Sequence, residues 1–103
     1  MKKILLVCSA GMSTSLLVSK MRISAKAKEI DCTINAIAET EINDYDKEFD
    51  VLLLGPQVRF LLNKLKEEFS AKGVPVSVIN TVDYGTMNGI KVLKYALDLI
   101  KNK

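Results

Sequence analysis

Hydrophobic positions recur along this chain at two periods, and those periods alternate. Lys3 to Cys8 is apolar on both faces, which predicts a strand inside a sheet rather than at its edge. Leu17, Met21 and Ala25 then recur at i, i+4, i+8, with Lys20, Arg22, Lys26 and Lys28 left to water. This predicts a helix running to about Glu29. Cys32 to Ala38 alternates imperfectly, as an edge strand does. The acidic stretch from Glu39 to Asp50 reads as a loop with at most one helical turn around Ile42 to Tyr45. Val51 to Leu54 is a second fully apolar strand, closed by Gly55 and Pro56.

Pro56 suits the first turn of another helix, in which Val58, Leu61, Leu62, Leu65 and Phe69 share a face and Lys72-Gly73 marks the end. Val74 to Ile79 alternates and contains Pro75, both features of an edge strand. A turn-rich connection from Asn80 to Gly89 leads to a last helix, about Ile90 to Lys101, expected to bury Ile90, Leu93, Leu97 and Ile100.

Four strands separated by helices imply an α/β fold with a parallel sheet and right-handed crossovers. The two fully apolar strands belong in the centre and the two alternating ones outside. That gives strand order 2-1-3-4, a doubly wound, flavodoxin-like sheet. Such sheets bind ligands beyond the carboxyl ends of their strands, at the switch point between strands 1 and 3. The segment after Cys8 and Gly55-Pro56-Gln57 would flank that point.

Composition narrows the functional classes. At 103 residues, 49% hydrophobic and 26% charged, the expectation is a single domain spanning residues 1–103 with one core. The net charge of +3, three tyrosines, three phenylalanines and no tryptophan make no nucleic-acid surface. No apolar run approaches the ~18 residues a bilayer requires, and the N-terminal residues do not form a secretion signal. A cytosolic protein without membrane insertion is expected. Two cysteines, Cys8 and Cys32, make no disulfide framework, and the chain has no histidine. Neither a metal nor another cofactor is expected. Whatever Cys8 does, no imidazole of this chain assists it.

Chemistry concentrates at Cys8-Ser9-Ala10-Gly11-Met12-Ser13-Thr14-Ser15. A cysteine ending a strand, then small residues, then a helix, is a phosphate cradle with a nucleophile at its rim. No proline interrupts 9 to 15, so every amide is available, and Gly11 can take the positive φ that turns several inward. The helix N-terminus adds its unpaired donors and the positive end of its dipole, a field that also favours a thiolate on Cys8. Ser13, Thr14 and Ser15 can cap the helix, and their hydroxyls can also meet phosphate. Cys32, at the opposite end of its strand, reads as a small core side chain.

Three readings compete for this loop. A cysteine phosphatase has Cys, five residues, Arg, then Ser or Thr. Here Thr14 occupies the arginine position and only Ser15 fits, with Asp83 the one candidate acid. Without the guanidinium, bidentate stabilisation of the transition state is missing. A phosphoryl carrier needs its phosphocysteine protected from water, and losing arginine and acid suits it. A nucleotide or flavin binder lacks an aromatic clamp and a Walker-type lysine.

Cys8 to Val18, Leu53-Leu54-Gly55-Pro56-Gln57-Val58 and Asp83-Tyr84-Gly85 with Asn88-Gly89 together resemble the IIB component of the bacterial sugar phosphotransferase system, lactose/cellobiose/chitobiose class. The cellobiose/chitobiose branch is the more similar, since the lactose branch has a more glycine-rich loop. The resemblance covers nearly the whole chain. It implies that Cys8 is phosphorylated by a phosphohistidine of a IIA protein. The group then passes to a β-glucoside, diacetylchitobiose or cellobiose-type sugar imported through the membrane permease IIC, at whose inner face the protein would act transiently. From the residues themselves, Met12 and Leu16 are expected to form part of a docking surface for IIA, and Gln57 and Tyr84 to rim the site. A monomer with transient partners is expected. The runner-up is a low-molecular-weight phosphatase or arsenate reductase using the same loop.

Overall fold

The computed structural model of the chain describes residues 1–9, 12–45 and 47–102, with the side chains of all of these except residues 12 and 13. Four strands, β1 (Lys2–Cys8), β2 (Cys32–Ala38), β3 (Val51–Leu54) and β4 (Val76–Val78), form one parallel sheet in the order β2-β1-β3-β4. The helices are α1 (Met12–Ala27), α2 (Leu62–Ser70), α3 (Thr81–Gly85) and α4 (Gly89–Lys101). The doubly wound order expected from the two apolar strands is the one observed.

Alternation along β1 and β3 sorts the core into two layers. Ile4, Leu6, Val51 and Leu53 pack with Leu17, Val18, Met21 and Ala25 of α1 and Val92, Leu93 and Ala96 of α4. Leu5, Val7, Leu52 and Leu54 face the other way, onto Val58, Leu65 and Phe69. The four β3 side chains and Ile4 to Val7 are at most 1% exposed, which explains why the central strands carry no polar residue over those stretches. On the outer strand β2, Arg22 of α1 donates to the Ile34 carbonyl and ties the exposed face of the helix to the sheet.

Several boundaries differ from expectation for identifiable reasons. α1 stops at Ala27, because Glu29 takes a left-handed φ of 54° and Ile30 N–H returns to the Ala25 carbonyl at 2.9 Å. The segment after β2 holds a 3-10 helix, Glu39–Asp44, begun when Glu41 reaches back to the Ala38 N–H at 2.9 Å. Pro56–Leu61 is likewise 3-10, kinked at Val58, so the α-helix begins only at Leu62. The strand expected over 74–79 is trimmed to Val76–Val78. The connection from 80 to 89 contains α3, capped by Asn80. Ile90, expected in the core, is 58% exposed; α4 instead buries Gly89, Val92, Leu93 and Ala96.

Candidate functional site

The strand ends converge on one side of the sheet. Gly55 N–H donates to the Val7 carbonyl at 2.8 Å, which carries the β1–β3 pairing beyond Leu54. Ile79 N–H does the same to Leu54 at 2.8 Å. Cys8 lies at the last position of β1, paired with Ala38, and is 2% exposed. Its Sγ–H donates to the Ile37 carbonyl at 3.7 Å.

From Cys8 the chain passes into α1, whose first residue is Met12. Thr14, in the first turn of this helix, is 1% exposed, and its Oγ1 lies 3.0 Å from the Tyr84 hydroxyl. The position that a phosphatase fills with arginine thus holds a short side chain turned into the protein.

Tyr84 reaches Thr14 from α3, a helix of five residues. Asn80 begins it by accepting from Val82 N–H at 2.8 Å and Asp83 N–H at 3.2 Å. Beside Tyr84 lies Gly55, where a β-carbon would stand 2.8 Å from Gln57 Oε1, 3.5 Å from Tyr84 Cε1 and 3.5 Å from the Val7 carbonyl. Glycine here lets Gln57 fold back and the tyrosine ring approach the end of β1.

The structure places the remaining sequence candidates as follows. Ser9 and Ser15 are at the surface, and Leu16 is 52% exposed. Gln57 is exposed, and Tyr84 is buried. Ala10 and Gly11, and the side chains of Met12 and Ser13, lie outside the described residues. Asn80 is not a sequence candidate, although Asn before a short helix is its signal, whereas Gly55 follows β3 in the segment expected to flank the switch point. Cys32 pairs with Lys2, at the far end of the strands from Cys8, and packs half-buried against the α1 layer. Burial pushes its thiol pKa up, Asp31 adds to the rise, and Lys2 opposes it. Among the described residues no cluster of histidine, cysteine or carboxylate side chains could hold a metal ion.

Residues 3–95 match the family model of the PTS system, Lactose/Cellobiose specific IIB subunit. The chain belongs to this family. IIB subunits act as phosphotransferases in sugar uptake, for sugars of the lactose and cellobiose type. The solution structure of a cellobiose-specific phosphotransferase IIB component from Borrelia burgdorferi is 53% identical with a TM-score of 0.80, covering 99% of this chain and 94% of that one. The oligo-beta-mannoside-specific EIIB component of Bacillus subtilis is 40% identical over the full length of both proteins. The galactose-specific EIIB component of Lactococcus lactis is 44% identical over 96% of each. Three similar IIB components thus carry three different sugar names. Among the described residues, no helix is long and apolar enough to cross a membrane.

Proposed function

We propose that Cys8 is the phosphoryl-carrying residue of this IIB subunit, accepting the group from a phosphohistidine of IIA and giving it to a sugar entering through IIC. The observation that carries this reading is the placement of Cys8. It ends a central strand, next to the first turn of α1, while the arginine position of a hydrolase is occupied by a buried threonine.

In the first transfer the Cys8 thiolate attacks phosphorus in line. The S–P bond forms as the N–P bond to the partner's imidazole breaks, and that nitrogen leaves with the electron pair. Amides from residues 9 to 15 take up charge on the equatorial oxygens. In the second transfer a sugar hydroxyl attacks, the S–P bond breaks, and the thiolate leaves. The sugar hydroxyl gives its proton to a general base as the S–P bond breaks. An amide cradle serves both directions because it gives and takes no proton. With no guanidinium at position 14, water attacks the phosphocysteine slowly.

Docking of IIA falls to the apolar side chains around this end of the sheet. Leu16 on the first turns of α1 and Val82 on α3, 52% and 68% exposed, stand on the two helices joined by Thr14 and Tyr84. The sugar is chosen elsewhere, in the permease, consistent with the different sugars named for similar IIB components.

Intact mass after incubation with phosphohistidine-loaded IIA tests the reading. Wild type gains one phosphoryl group (~80 Da) and Cys8→Ser gains none, while p-nitrophenyl phosphate is not turned over. Steady hydrolysis without a lasting adduct would instead establish the phosphatase or arsenate reductase alternative.

A further inference from the structure

We propose that Tyr84 is a positioning residue for phosphoryl transfer, acting through Thr14 to set the amides of the cradle against Cys8. The inference rests on the carrier reading of Cys8.

Cys8 and Thr14, on either side of residues 9–13, are each held. Cys8 is held by its place in β1, opposite Ala38. The Thr14 hydroxyl meets the Tyr84 hydroxyl at 3.0 Å in a buried contact between residues seventy positions apart. Either hydroxyl can donate in this contact. Tyr84 is itself held firmly. Its ring is 6% exposed within the α1/α4 layer, Asn80 caps its helix, and Met87 N–H returns to its carbonyl at 3.1 Å. Gly55 leaves the gap through which the ring lies against the end of β1.

The consequence is preorganisation. A cradle stabilises the transferring phosphoryl group by amides already aimed at it, and a small displacement of the first turn of α1 redirects several at once. A hydroxyl pair that only stabilised the fold would raise the melting temperature and leave the chemistry alone. This pair joins the first turn of α1 to α3.

The test is a cycle of Tyr84→Phe, Thr14→Val and the double variant, with Thr14→Ser as the conservative control. Single-turnover transfer from phosphohistidine-loaded IIA is followed beside the 31P resonance of the Cys8 adduct and thermal melting. Each single variant is expected to lose about tenfold in transfer rate, the scale of one mispositioned hydrogen bond. The double variant should lose no more than either, Thr14→Ser should restore the rate, and the 31P resonance should move in Tyr84→Phe. Wild-type rates in Tyr84→Phe, or losses that multiply in the double variant, would overturn the inference. Should Tyr84→Phe not fold, the contrast between Thr14→Val and Thr14→Ser decides alone: equal rates in those two overturn it. If the wild type acquires no phosphoryl group, the carrier reading itself fails. A loaded wild type with an indifferent Tyr84→Phe removes only the positioning role.

Discussion

Gly89 meets Lys20 where α4 crosses α1, and the contact leaves no space for a side chain. A β-carbon at Gly89 would stand 2.7 Å from the Lys20 carbonyl carbon and 2.8 Å from the Met21 nitrogen. Both are backbone atoms of α1 and cannot swing aside. Gly89→Ala is therefore expected to destabilise the protein by about 1–3 kcal/mol in urea denaturation, despite the higher helix propensity of alanine.

Gly55→Ala presents the opposite case. Its β-carbon meets the far end of Gln57 at 2.8 Å, and an exposed amide can rotate away. Stability should change by less than about 1 kcal/mol. Phosphoryl transfer to Cys8 should nevertheless slow, because Gln57 is displaced. Parallel melting curves and single-turnover rates check both halves of the expectation.

Glu29 ends α1 at a left-handed φ of 54° without being glycine. The turn it permits brings Ile30 back against the core layer. Glu29→Gly relieves the steric cost of that conformation and should stabilise by about 0.5–1 kcal/mol, read as a higher denaturation midpoint with an unchanged slope.

Cys32 supplies an alkaline signature. Burial and then Asp31 raise its thiol pKa while Lys2 lowers it, so the folded chain holds this proton to higher pH than the unfolded chain does. The unfolded state then binds fewer protons as pH rises, and stability that is complete at neutral pH declines above about 8.5. Cys32→Ser should show a shallower fall in melting temperature between neutral and alkaline pH. Equal slopes in the two proteins would contradict it.

Much of this architecture is legible in the pattern of apolar residues. Leu5, Leu6, Leu52 and Leu53 have no polar neighbours to alternate with, which is what burial on both faces demands, and the strand order follows. The proposed phosphate cradle is local in sequence: Cys8, the small residues after it and the first turn of α1 are contiguous. What escapes a linear reading is contact across the chain. The α4 face begins at Gly89, a residue that carries no hydrophobic signal, so periodicity assigns Ile90 to the core when it is exposed. α3 is too short to show a helical period and owes its start to Asn80. The pairing of Thr14 with Tyr84 depends on how β1 and β4 are placed in the sheet, which residue spacing alone does not contain.

β1 is the wall shared by both apolar layers, with Ile4 and Leu6 on one side and Leu5 and Val7 on the other. Neither layer can open without disturbing it. Its amides should therefore exchange with solvent deuterium only through global unfolding, on the slowest timescale of the molecule. Cys8, the last residue of β1, is thus rooted in the last part of the protein to let go.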